Sequence, residues 1–241
     1  QHRKSAVLDA LIKDDSLGEE TISVVFFADK GLSRSQQIFT DLNKHAVKTS
    51  NSISELYDSR DVMAVVTRNV IRKIDFLDTY TNKEKDNLGK YSSSLFTLNT
   101  FYTANKSIVN RKTNCDYESF LLEFWLLVVK HMLPWQDLIN DIITKVDLRE
   151  EYITTQSIVI RAFGRVGNYF YMNPSLNMEG YLSKLEKIDW SRNSSKWYLR
   201  AISKNRRIIT NKKAAVLIGN VIKEEIGVPL TIDENVAEEN L

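Results

Sequence analysis

The sequence has 241 residues, 43% hydrophobic and 10% aromatic, enough for one large or two small domains with a sizeable core. Thirty-three Lys and Arg against 31 Asp and Glu leave a formal charge of only +2, so total charge does not single out a nucleic-acid partner and its distribution must decide. Cys115 is the only cysteine, which excludes an internal disulfide and a cysteine-cluster zinc or iron–sulfur site and fits a reducing, cytoplasmic setting.

Residues 4–15 carry Ala6, Val7, Ala10, Leu11 and Ile12 at helical spacing, which predicts a helix directly after Gln1-His2-Arg3. Such a helix start offers free N–H groups and the positive end of the dipole to a phosphate. Ile22 to Ala28, β-branched and aromatic and closed by Asp29-Lys30-Gly31, is the one convincing strand. From Ser33 the pattern turns helical, with Ile38, Phe39 and Leu42 on one face and Gln36, Gln37, Asp41 and Asn43 open to polar work. Beyond Asp61 helices are expected over roughly 61–78, 94–109, 117–133, 136–145, 150–171, 178–187 and 212–225. Pro134 should end the helix that contains Trp125, and Asn173-Pro174 should mark a second break. Phe120–Leu133 is interrupted by Glu123, Lys130 and His131 and falls short of the roughly 20 apolar residues a bilayer requires, so a buried helix and no membrane partner are expected. The fold class is therefore α+β, mostly α. Its expected parts are residues 1–61, a helical domain over 62–225, and an acidic tail over 226–241.

Charge is least even near the end of the chain. Trp190 to Lys223 holds Arg192, Lys196, Arg200, Lys204, Arg206, Arg207, Lys212, Lys213 and Lys223 and no Asp or Glu. Interleaved with Trp190, Trp197 and Tyr198, these cations suit a DNA backbone, while the rings could instead anchor the segment to the core. The bland alternative is a basic face paired with acids from elsewhere. After Lys223 the sign reverses through Glu224, Glu225, Asp233, Glu234, Glu238 and Glu239, expected as a solubilising terminus. Tyr57-Asp58-Ser59-Arg60-Asp61 reads as an Arg–carboxylate bridge with an Asp N-cap. Gly164-Arg165-Val166-Gly167 lacks the strand and the Lys-Ser/Thr pair of a phosphate loop, and no Ser-His-Asp or Cys-His arrangement emerges. His131, beside a helix end, is expected to be structural.

Gln1-His2-Arg3-Lys4-Ser5-Ala6-Val7 resembles the second half of a D-G-Q-H-R motif, so the chain is expected to start inside a functional site. Gln36 to Lys48, followed by Leu56-Tyr57-Asp58-Ser59-Arg60-Asp61, and Asp189-Trp190-Ser191-Arg192 with Trp197, Arg200 and Arg206, resemble the DndB family. Its members accompany DNA phosphorothioation, in which sulfur replaces a backbone phosphate oxygen. The resemblance also implies a small, partial ParB- and sulfiredoxin-like α/β part at the N-terminus. There Gln1, His2 and Arg3 would hold phosphates, and Gln37, Asp41 and Asn43 would face a nucleotide and Mg²⁺. The ParB Arg-rich phosphate motif is absent. The function it implies is a DNA-binding transcriptional regulator of a phosphorothioate modification gene cluster, open to nucleotide control. Duplex DNA would be its partner, held by Arg192, Lys196, Arg200, Lys204, Arg206, Arg207, Lys212 and Lys213. Other phosphorothioation proteins and a second copy of the chain are further candidate partners. The alternative is an NTP-binding or NTP-hydrolysing accessory enzyme of DNA sulfur modification, with Mg²⁺ and a nucleoside triphosphate as its cofactors.

Overall fold

Packing divides the chain into Gln1–Lys48 and Thr49–Leu241. The computed structural model describes residues 2–21, 28, 31, 34, 50–110 and 116–241, the side chains of His2 and Arg3 excepted. In the first unit α1 (His2–Lys13) is followed by a 3-10 turn, Asp15–Glu19, capped by the Asp14 carboxylate on the Ser16 N–H and hydroxyl. The expected strand over 22–28 and the polar-faced helix after Ser33, on which the expected ParB-like part rests, lie largely outside the described residues.

The second unit begins with α2 (Asn51–Tyr57) and α3 (Val62–Arg72). Asp61 caps α3 by accepting from Met63 N at 2.8 Å and Ala64 N at 3.2 Å, as its place before an apolar run suggests. Arg60 is exposed and bridges to no carboxylate among the described residues, so the buried bridge expected around it is not formed; Arg68 instead donates to the carbonyls of Glu55 and Asp58. The boundary expected at residue 61 falls inside this unit. The chain on its N-terminal side is tied to α5 (Leu98–Ile108) through Asn99 N to Ser52 Oγ, 3.3 Å, and Tyr102 to Asp61, 2.5 Å.

Between them α4 (Asp75–Tyr80) runs into a two-stranded parallel sheet, β1 (Thr81–Asn82) beside β2 (Phe96–Thr97), with Thr81 opposite Phe96. α3 and α4 replace the single helix expected over 61–78. The backbone turns extended at Ile74, whose side chain enters the core. The connection between the strands carries Asp86, which accepts from the N–H groups of Asn51 and Ser52 at 2.8 Å and so fixes the start of α2.

Next come α6 (Tyr117–His131), α7 (Leu133–Ile139), α8 (Lys145–Glu151) and α9 (Ser157–Met172). Pro134 sits in the first turn of α7, where its missing N–H costs nothing. The helix expected from residue 150 begins only at 157, because Ile153 N donates to Trp190 O (3.1 Å) and Tyr152 bridges to Ser191. Those backbone groups are spent on a distant segment instead of on a helical turn. α9 is the centre of the fold. It packs most extensively against α5 and then against α11 (Lys212–Ile226), with α10 (Met178–Leu182) and α12 (Ile232–Glu239) completing the body.

Aromatic rings fill the core: Trp135 against Phe76 and Phe96 at 5.2 Å each, and Trp125 against Phe101 at 5.0 Å. Trp125 donates to Asn105 (2.8 Å), which donates in turn to Thr67 (2.9 Å), so these three buried polar groups are matched, whereas the buried Trp135 indole N–H has no partner among the described residues. His131 is buried, and its Nδ1 lies 2.7 Å from the Glu186 carboxylate. The fold is thus α+β and mostly α. Among the described residues no helix is long and apolar enough to cross a membrane.

Candidate nucleic-acid interface

The basic segment starts bolted to the core. Trp190 and Trp197 are buried and stacked at 5.4 Å, and their indole N–H groups donate to the carbonyls of Leu185 (3.2 Å) and Asp189 (2.8 Å). These rings anchor; they are closed to base stacking. Arg192 is equally committed: its backbone N–H donates to Glu151 O, and its guanidinium to the carbonyls of Tyr152 and Arg149, at 3.2 and 2.5 Å. Burial pulls the guanidinium pKa down, with the Glu150 charge opposing it.

The cations that follow divide into two groups. Residues 226–241, expected as a solubilising terminus, form a turn and α12, and α12 lies on α11. Thr231 and Glu234 close a capping box at its start. From this helix Glu238 Oε2 accepts from both Nε and Nη2 of Arg200, at 3.1 and 2.7 Å. Glu234, 1% exposed, accepts from Lys223 Nζ (2.7 Å), Arg165 Nη2 (2.8 Å) and Thr231 N (2.9 Å). Burial pushes the Glu234 carboxyl up, but Lys223, the Thr231 N–H and Arg165 outweigh it and hold its pKa at about 2. Lys196 pairs with Glu225 on α11. Lys196, Arg200 and Lys223 are therefore paired with carboxylates, and Arg192 is held by backbone carbonyls.

Lys204, Arg206, Arg207 and Lys212 are exposed, and among the described residues none of them pairs with a carboxylate. Lys213 donates only to a carbonyl, that of Asn240, and keeps its charge. Three of these cations sit on one tight turn. Arg206 N donates to Ser203 O (2.8 Å), Ser203 N to Arg207 O (2.8 Å), and Arg207 N to Ser203 Oγ (3.1 Å). Closing the turn puts Arg206 at φ 56°, left-handed backbone that costs a non-glycine residue about 1–2 kcal/mol. Beside the turn lies a cleft of ≈ 630 Å³, whose lining includes Tyr198, Lys204 and Arg206 together with Glu150, Glu151 and Arg192. The chain then enters α11, whose first turn carries Lys212 and Lys213. Lysines at the positive end of a helix work against its dipole, an arrangement that gains from an anion placed there.

Of the other expected site residues, Gln1, Gln37, Asp41 and Asn43 lie outside the described residues, as do the side chains of His2 and Arg3. Among the described residues no group of three or more His, Cys, Asp and Glu side chains is arranged to hold a metal ion. Gly164 and Gly167 serve packing: a Cβ on Gly164 would meet Ala104 O at 3.0 Å, and one on Gly167 would meet Ile108 Cδ1 at 2.8 Å. Sequence reasoning passed over Glu55, although it stands three residues before Asp58, which it singled out. No curated protein and no solved structure matches the chain. The family model DndB, described as DNA-sulfur modification-associated, matches residues 1–229, which takes in every described element except α12, and the chain belongs to that family.

Proposed function

We propose that this protein is a DNA-binding transcriptional regulator of a DNA phosphorothioate modification gene cluster, and that it grips duplex DNA by its backbone phosphates. The observation that carries this reading is the sorting of the basic segment. The cations left without carboxylate partners, Lys204, Arg206, Arg207, Lys212 and Lys213, gather on one turn and the helix start that follows it. Arg supplies paired N–H donors in a plane that matches phosphate oxygens, and Lys adds point charge. Five such contacts would give a log–log salt slope of about −4 to −5, or an affinity loss of several hundredfold between roughly 50 and 200 mM salt. The family's place in DNA sulfur modification makes the cluster's own upstream DNA the first target to test.

The test is a fluorescence-anisotropy titration against duplex from upstream of the gene cluster and a scrambled duplex, across that salt range. Preference for the upstream duplex is expected, with the steep slope above. Reversing Arg206 and Arg207 to Glu should weaken binding by roughly a hundredfold and flatten the slope by about two units. The unfolding midpoint should stay put, because neither side chain has a partner among the described residues. Unchanged affinity of that variant would reject the surface, and equal binding to both duplexes would reject the regulator.

A further inference from the structure

A second polar cleft, of ≈ 420 Å³, opens where α2, α3 and α5 meet. Its wall is one face of α2, Asn51, Ser54 and Glu55 at i, i+3 and i+4, with Asp58 just past the helix end, joined by Asp61 from the start of α3 and Tyr102 from α5. Three carboxylates in so small a volume need donors, and the fold supplies them unevenly. Asp61 is satisfied, with Oδ1 taking the N–H groups of Met63 and Ala64 and Oδ2 the Tyr102 hydroxyl at 2.5 Å. Asp58 uses only Oδ1, on the N–H groups of Arg60 and Asp61. Glu55 is 8% exposed, and its Oε2 is buried with no hydrogen-bond partner. The neighbouring cations do not answer it. Arg68 donates to the backbone carbonyls of Glu55 and Asp58, and Lys106 leans on the Tyr102 ring and hydroxyl.

An orphaned, buried acceptor on a residue that lines an acidic cleft identifies what the cleft lacks: positive charge that carries N–H donors. An apolar ligand would leave the Glu55 and Asp58 oxygens unanswered, and the carboxylates are not arranged as a metal cage. We propose that this cleft binds an organic cation, an ammonium or guanidinium group, which donates to Glu55 Oε2 and to the open oxygen of Asp58. A free polyamine and the Lys or Arg side chain of a partner protein present this same chemistry.

Proton linkage follows from the setting. Burial first, then the charges of Asp86 and Asp61, raise the Glu55 pKa to about 7, with Lys106 opposing. The charged and titratable groups facing it are Asp58 just past the end of its own helix, Asp61 and Arg68 on the α3 side, Tyr102 and Lys106 on α5, and Asp86 on the strand connection. A cation that needs Glu55 ionised must displace its proton. Affinity should therefore be about tenfold higher at pH 8 than at pH 6.

Isothermal titration calorimetry on the full chain tests this, with spermidine in one arm and a blocked Arg- or Lys-containing tetrapeptide in the other. Saturable binding in either arm is expected, with proton release read from buffers of different ionisation enthalpy. Glu55→Gln should weaken it at least tenfold and abolish the proton release; Asp58→Asn, which leaves the buried residue in place, should weaken it several-fold. Spermidine binding alone would assign a free polyamine, and peptide binding alone a protein side chain. No binding in either arm, affinity indifferent to both substitutions, or equal displacement by Mg²⁺ would overturn the proposal.

Discussion

Two buried glutamates show how neighbours, at constant residue type, set a charge in opposite directions. Glu234 meets an ammonium, a guanidinium and a backbone N–H and is held at about 2; Glu55 meets burial and other carboxylates and is raised to about 7. Against an ordinary value of 4.5, Glu234 adds stability that is full above pH 4.5 and is lost as pH falls towards 2. Glu55 folds more readily protonated, so its contribution is full below pH 4.5 and is lost as pH rises through 7. Each swing is on the order of 3 kcal/mol at most. Urea denaturation across pH 3–9 should thus find greatest stability near pH 5. Glu55→Gln should remove the decline towards pH 8. Glu234→Gln should lower stability throughout the neutral range by roughly 3–5 kcal/mol, because it strands Lys223 in the interior. A profile that Glu55→Gln leaves unchanged would contradict the high value at that residue. Neither glutamate announces itself in the sequence. Glu234 is read there as one acid among six in a terminal run, and Glu55 is a lone Glu between Ser54 and Leu56. The i, i+3, i+4, i+7 spacing of Asn51, Ser54, Glu55 and Asp58 was the available signal.

At the scale of elements, the tightest joint is that between α5 and α9. Gly164 and Gly167 let the two backbones approach until a single added carbon would touch the Ala104 carbonyl or the Ile108 side chain. In an isolated helix Gly→Ala is favourable by about 1 kcal/mol, so propensity and packing make opposite predictions here. Packing should win. Gly164→Ala meets backbone oxygen, which cannot yield without moving a helix, and should cost about 1–3 kcal/mol. Gly167→Ala meets the fully buried Ile108 side chain at 2.8 Å and the Phe124 ring at 3.0 Å, and should cost at least as much. Thermal unfolding of the two variants reads the order directly; a stabilised Gly164→Ala would mean that the helices are not so close. The same balance explains which elements were legible. α11, with its apolar stripe, and α6, apolar nearly all round, fall almost where the sequence puts them, and the Pro134 break is where its chemistry requires. The interruptions at Ile74 and at 152–156 were hidden, since a buried side chain and pairing with residues 190–191 cause them.

Over the molecule as a whole, the nine cations of the basic segment were legible and their division into two groups was not. The acids that claim Lys196 and Arg200 lie 29 and 38 residues further on, beyond any local pattern. Under the function proposed above, that division would separate stability from binding. Arg200→Ala breaks a two-pronged, part-buried bond to Glu238 and should cost about 1–2 kcal/mol. Lys204→Ala and Arg207→Ala should stay within about 0.5 kcal/mol of the parent while weakening DNA binding. Arg206 makes the sharpest case, because its backbone sits at φ 56°, where glycine is at ease and arginine is not. Arg206→Gly should raise stability by about 0.5–1 kcal/mol, the left-handed penalty less the added chain entropy of glycine. It should also lower DNA affinity and remove about one unit of salt slope. A chain that gains stability and loses DNA together at one residue holds that arginine for the contact. If Arg206→Gly gained stability with its DNA affinity intact, the turn would be merely strained, and the phosphate grip would pass to Lys212 and Lys213.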